Sequence, residues 1–590
     1  MTVGETFYHE KSALEIGQVE RYIITYGLNR RGSSTLSSLA LAESMNQSIW
    51  LRVKNVSKST YKASYIMGPF DLYCDVRPDD YEDAQKVVVS AEAPQYKSNL
   101  MPQTHFDVQL PLHRVRDQYV WIVDVVSGMI FSTNNHTSYE LIVGSTKDSL
   151  RSKLDVVDNA RFGIQKLTTS DIWKIPMQVQ ESTKPKHLVV LSHGMHSNVP
   201  ADMMYLMEQL RKQQKAYSQS YLVVCGLEDN VCLTERGVKF LGLRLAKYIL
   251  DSQYNDSVTE ISFIGHSLGG VVQMFAIAYI AVQHPQFFQK VRPVNFISLA
   301  SPLLGIAAHN PKYIKYSLSH GVMGETGKDL GLHRGKRYGK KPLLYLLSGE
   351  PFQSVLKCFE NRTVYANCEN DGIVPLYTSG LLYLEYTPIL SKLQDMKQKK
   401  KEIKKVPKPS IIGSVNSVMT QPKPSKEFIA DPTTGDATIL HDKVYTAEHC
   451  AKLREEYGDT ILKPYLKHKV EGEDKSYQQL IADRLHDGVS WRKVVVALPP
   501  DAHNNIIVRR RFTNAYGWPV VKHLVSQHFG GDDTPNVTIP QQTFTPLQRL
   551  PADQDNEDPY AWLTMPDEQA ASSGLLSSTS SMIDRKWHRR

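Results

Sequence analysis

Residues 261–270 read Ile-Ser-Phe-Ile-Gly-His-Ser-Leu-Gly-Gly, and no other stretch restricts the possible folds so sharply. An apolar run ends in Gly265-His266-Ser267-Leu268-Gly269, and an almost wholly apolar helical stretch follows (Val271, Val272, Met274, Phe275, Ile277, Ile280). G-x-S-x-G alone arises often by chance. Between a buried strand and a buried helix it specifies a sharp strand-to-helix turn. The flanking glycines are required there because a Cβ at either would strike the neighbouring strand or helix. The turn lifts the Ser267 hydroxyl above the sheet, beside the first N–H groups of the helix, where developing negative charge is favoured.

The surrounding chain alternates strand and helix. His187 to Ser192 reads as a buried strand, with a helix from about Asp202, a candidate N-cap, to Lys215. Ser220 to Cys225 is the next strand. A helix from Arg236 to Asp251 carries the stripe Val238, Leu241, Leu245 and Ile249, with Thr234 as a candidate cap. The turn at Ser267 comes next, then a strand from Val294 to Leu299. This pattern predicts an α/β fold with a mostly parallel sheet covered on both faces. From about Ala13 to Gly144 the period is two instead, as in Phe106, Val108 and Leu110, which predicts an antiparallel, sandwich-like β domain. Its acidic loop (Asp75, Asp79, Asp80, Glu82, Asp83) offers calcium-type oxygens but no fixed ligand geometry, so a solvated loop is the expectation.

At 590 residues the chain exceeds one core. The expected division is an N-terminal β-rich domain (1–150), a linker (151–185), a first part of the α/β core (186–390), a basic insert (391–470), the last part of the core (471–530) and a disordered tail (531–590). The net charge of +8 argues little for nucleic acid, because seven lysines between Lys397 and Lys408 face only Glu402. That run is a solvated linker by composition, and equally a segment that anionic lipid would attract. Residues from about Asn310 to Lys341, rich in Gly, Lys and His, suit either a substrate-covering segment or a surface loop. Six cysteines (Cys74, Cys225, Cys232, Cys358, Cys368, Cys450) lack metal-type spacing and suit a reducing compartment. Neither a signal peptide nor a run of roughly 18 apolar residues is recognisable, so a cytoplasmic protein, soluble or peripherally attached and needing no metal or cofactor, is expected.

A serine hydroxyl needs a general base, and the base an orienting acid. In an α/β-hydrolase the chain order is serine, acid, histidine, the last two on loops after later strands. Asp371, in Asn370-Asp371-Gly372-Ile373-Val374-Pro375, follows the strand-like Thr363 to Asn367 and is the candidate acid; Asp229 is a reserve that precedes the serine. His503 leaves the end of a last buried strand, Val494 to Leu498, and is the candidate base. His486 and His523 fall in helical stretches, while His441, His449 and His468 fall in the insert. The oxyanion hole needs two backbone donors. Leu268 follows the nucleophile, and Met195 follows the turn His193-Gly194, in which His193 is a structural hydrogen-bonder.

With these residues, the chain resembles the serine esterase and lipase family first catalogued as a domain of unknown function, in its fungal branch. The resemblance rests on Gly68 to Tyr73, Tyr119 to Val126, Ser192-His-Gly194, the Ser267 turn, Ser298 to Pro302, Asp371 to Pro375, Asp501 to Arg511 and Asn514 to Pro519. It implies hydrolysis of acylglycerols or phospholipids at lipid droplets or internal membranes, and it supports Ser267, Asp371 and His503 by motif position. An acyl-protein thioesterase would use the same triad. A non-catalytic membrane adaptor with a vestigial hydrolase fold is the rival from another class.

Overall fold

The computed structural model describes residues 4–27, 49–58, 70–83, 93–112, 116–128, 135–151, 155–216, 220–306, 323–335, 338–399, 439–457, 475–530, 543–546 and 558–564. Most of the basic run expected to be a linker, Lys400 to Lys408, lies outside the described residues, as does His468.

Among the described residues the N-terminal part of the chain forms nine strands, β1 (Thr6–Leu14), β2 (Val19–Gly27), β3 (Ile49–Asn55), β4 (Leu72–Pro78), β5 (Gln95–Leu100), β6 (His105–Leu110), β7 (Gln118–Ser127), β8 (Thr137–Gly144) and β9 (Phe162–Leu167), the last within the stretch expected to be a linker. They make two antiparallel sheets, ordered β1-β8-β3-β6 and β5-β4-β7-β2-β9. Alternate residues such as Leu51 and Val53 of one sheet and Ile24, Val123 and Val125 of the other bury into a single apolar cluster. Period-two alternation puts exactly one face of each strand inward, which is why the pattern was visible in the sequence.

The second unit is a mixed α/β assembly around a seven-stranded sheet. Its strands are β10 (Lys186–Ser192), β11 (Tyr221–Gly226), β12 (Val258–His266), β13 (Arg292–Leu299), β14 (Asn361–Asn367), β15 (Ile439–Tyr445) and β16 (Trp491–Val496), ordered β11-β10-β12-β13-β14-β16-β15. All pairings are parallel except β15 with β16. Strand β15 arises within the expected insert and closes one sheet edge. Among the helices are α1 (Met204–Lys212), α2 (Val238–Lys247), α3 (Leu268–Gln283), α4 (Ala502–Asn505) and α5 (Trp518–Phe529). Helices α2 and α3 pack in one apolar cluster and α1 and α5 in another, as a sheet buried on both faces requires.

Two caps differ from expectation. A short helix, Val199–Asp202, precedes α1 and is capped by Asn198, whose side chain accepts from the Ala201 and Asp202 N–H groups. Asp202 is instead fully buried and paired with Arg509 and Arg510. Gly237, at φ 101, stands before α2, and the Asp329 carboxylate accepts from Val238 N–H at 2.9 Å, while Thr234 Oγ1 accepts from His196 N–H. The Asp329 cap comes from a side chain distant in sequence, which local patterns do not reveal, whereas Asn198 stands directly before the helix it caps.

The acidic loop is not a solvated cluster throughout. Asp75 sits on β4, buried and paired with Arg77, and Asp83 accepts from Arg511. Within the stretch expected to be a tail, Phe544, Trp562 and Leu563 join the core cluster, and Lys239 donates to the Trp562 carbonyl. Aromatic side chains bury large areas, enough to hold a short segment against a helix face. No described helix is long and apolar enough to cross a membrane.

Candidate active site

Strand β12 ends at His266, and Ser267 occupies φ 54, ψ −123, a region costly for any residue with a Cβ. The Ser267 N–H donates to Leu299 O at 2.9 Å, fixing the turn to β13. The glycines around it are sterically obligatory. A Cβ on Gly265 would lie 2.5 Å from Gly270 N, and one on Gly269 would collide with the Ser192 carbonyl oxygen. Helix α3 is buried for nearly its whole length, which holds its N-terminus rigidly under the serine. Its first N–H groups have no intrahelical acceptor, and Leu268 supplies the first of them.

Opposite, the turn after β10 carries Gly194 so close to Ser267 that an added Cβ would sit 2.9 Å from the serine Cβ. His193 is buried, its Nδ1 lies 2.8 Å from Gly194 O, and burial pushes its imidazole below the usual range. Met195 packs against the core cluster. His196 follows at φ 51, with its N–H on Thr234 Oγ1 and its Nε2 2.8 Å from Glu235 Oε1. The expected oxyanion turn is thus tied to the loop after β11, through Thr234, expected instead to cap the following helix, and through Glu235, which carries no sequence signal.

Asp371 lies just beyond β14 with a buried carboxylate. Oδ1 accepts from the Ile373 and Val374 N–H groups at 3.0 and 2.9 Å, and Oδ2 accepts from Asn367 Nδ2 at 2.8 Å and faces His503 Nδ1 at 3.0 Å. Burial alone would raise this carboxyl, but His503 and these donors hold it below the usual carboxylate range. His503 stands on α4, after β16, with Asp501 at φ 74 beginning the turn. The Asp501 side chain accepts from Asn504 and Asn514, and burial pushes its carboxyl up to about 7.

The fold therefore brings the three expected side chains to one end of the sheet. Asp371 orients His503, and the His503 carbonyl oxygen lies 2.8 Å from Nε2 of His266, the residue before Ser267. The Ser267 hydroxyl and His503 Nε2 are not hydrogen-bonded to each other, a contact that in many enzymes tightens only with substrate bound. The other candidates are elsewhere. Asp229 is exposed beside Arg244. His486 bonds Ala482 O, and His523 bridges Tyr365 and Asp442. His441 contacts Tyr445 and His449 stacks on it.

A strained serine at a strand-to-helix turn, an acid and a histidine after the neighbouring strands β14 and β16, and a glycine turn facing the serine define the class. A family model described as "Putative serine esterase (DUF676)" matches residues 182–381. The chain belongs to this family. Among its relatives, Saccharomyces cerevisiae "Putative lipase ROG1" is 44% identical over 90% of this chain and 84% of its own length. "Putative lipase YDL109C" of the same yeast is 43% identical, covering 99% of this chain and 98% of the relative. Schizosaccharomyces pombe "Putative lipase C4A8.10" is 30% identical over 90% of this chain and 79% of the relative.

Proposed function

We propose that this protein is a serine hydrolase of α/β-hydrolase fold, fronted by a β-sandwich, that cleaves carboxylic esters of acylglycerols or phospholipids. The observation that carries the reading is the Asp371–His503 pair set beside the strained turn at Ser267. In this reading Ser267 Oγ attacks the acyl carbonyl carbon and His503 Nε2 takes the hydroxyl proton. Asp371 keeps the proton on Nδ1 and stabilises the imidazolium. The N–H groups of Leu268 and Met195 hold the oxyanion. His503 then protonates the departing alcohol, and a water, activated by the same imidazole, releases the fatty acid. Lipid as substrate rests on the relatives named putative lipases, and a lipid droplet or internal membrane as its surface is the expectation carried by the sequence resemblance.

The test is fluorophosphonate labelling with a hydrolysis panel of mono-, di- and triacylglycerols, phospholipids and acyl-thioesters, run on wild type and Ser267→Ala. Loss of both labelling and ester hydrolysis in the variant is expected. Labelling retained in Ser267→Ala would move the nucleophile elsewhere, and turnover of thioesters alone would change the substrate class.

A further inference from the structure

We infer that His266 is a positioning residue of the active site: its imidazole holds the backbone of the general base and thereby couples base to nucleophile. The inference rests on the serine-hydrolase reading above.

The His503 carbonyl can only accept, so the 2.8 Å contact requires a proton on His266 Nε2. That assigns the tautomer: Nδ1 carries the lone pair. Nδ1 is buried without a hydrogen-bond partner and faces the turn at Gly194, where an added Cβ would lie 3.4 Å from it. The two imidazoles lie against each other, with centroids 4.7 Å apart. The ring is 3% exposed. Its burial, with His503 and Arg509 opposing a second positive charge and Asp371 only partly offsetting them, pushes its pKa down to about 3. His266 is therefore neutral wherever the triad works. It is neither a spare base nor a competitor for Asp371.

The consequence is geometric. His503 is held at two points, its ring by Asp371 Oδ2 and its main chain by His266 Nε2. The second point is one peptide unit from Ser267. Any drift of α4 relative to β12 breaks this bond, so nucleophile and base keep their spacing although 236 residues separate them. The position before the serine in G-x-S-x-G is free of the steric demand that fixes the glycines. Here a donor at Nε2 is what the site uses.

Two substitutions of similar polarity separate this role from simple packing. In His266→Gln the amide nitrogen falls near the place of Nε2 and can still donate to His503 O. In His266→Asn it falls near Nδ1 and cannot. The full-length chain and both variants are compared by rate of fluorophosphonate labelling, by kcat and KM on a soluble p-nitrophenyl ester, and by Tm. Glutamine is expected to keep labelling within about 3-fold of wild type, whereas asparagine loses about 10²-fold in labelling rate and kcat with KM little changed. A packing role alone predicts equal losses in the two variants, tracking Tm. Equal losses, or no loss in His266→Asn, overturns the inference. Labelling that survives Ser267→Ala would instead overturn the hydrolase reading itself, so the two failures are distinguishable.

Discussion

Arg511 and Asp83 lie 3.2 Å apart, joining the segment that carries the candidate base to the N-terminal sheets. The same guanidinium bonds Glu208 on α1 and lies over the Tyr205 ring. Glu208 in turn meets Arg21 of β2, which pairs with Asp124. Burial alone would raise the Glu208 carboxyl, but Arg21 and Arg511 hold it down at about 2. Next to this network, Phe512 N–H donates to the Tyr73 hydroxyl and its ring packs on Tyr81 and Tyr96. The N-terminal unit is thus joined to the segment that follows His503.

Arg511→Ala should therefore destabilise the whole chain by about 3–5 kcal/mol, because Asp83 and Glu208 lose a buried countercharge. Urea unfolding checks this. A loss below about 1 kcal/mol would mean that water already reaches the network.

Asp371→Asn removes the charge facing His503 Nδ1 and allows the wrong imidazole tautomer. Labelling by a fluorophosphonate should slow by about 10⁴-fold, with Tm nearly kept. A loss below 10-fold would point to another acid.

Gly269→Ala should cost about 3 kcal/mol and abolish labelling, because the new methyl meets backbone at Ser192 that has no freedom to yield. Gly339→Ala is the control. Nothing lies within 4 Å of a Cβ there, and only its φ of 60 opposes the change, at about 1 kcal/mol. Thermal or urea unfolding of both variants checks the order, and equal costs would contradict the close approach.

His528 gives a pH prediction. Both ring nitrogens are buried without hydrogen-bond partners, and burial, with Arg492 and His523, pushes its pKa down to about 3 despite Asp442. The unfolded chain takes up a proton here as pH falls through about 6.5, while the folded chain refuses it until far lower pH. The folded state therefore loses stability in that window. His528→Phe should gain on wild type by about 2 kcal/mol between pH 7 and pH 5. Urea midpoints at the two pH values decide it, and an unchanged difference would show that the folded protein already binds this proton.

The legible features were local ones. Period-two runs announced β3, β6 and β7, and the glycines around Ser267 announced the turn, because each follows from steric demands within a few residues. Asp371 and His503 were found from chain order and strand ends. His266, Asn367, Asn198, Asp329 and Arg511 were missed. His266, Asp329 and Arg511 act on groups distant in sequence, Asn198 and Asn367 on groups only three or four residues away, and a lone His, Asn, Asp or Arg carries no periodic signature. Strand β15 was missed because, at the sheet edge, its burial does not alternate: the adjacent Asp442 and Lys443 are both exposed, which breaks the period-two pattern.

What the sequence determined alone was the chemistry offered: a serine forced onto a strained turn, and an acid and a base after later strands. Whether those groups meet was decided by the tertiary structure, which stacks β12, β13, β14 and β16 side by side, seats α4 against His266 and ties the following segment, through Phe512, to Tyr73 of the N-terminal unit. The physical reason is that backbone sterics act between neighbours along the chain, whereas orientation of a base depends on hydrogen bonds and buried charges from segments that only folding brings together.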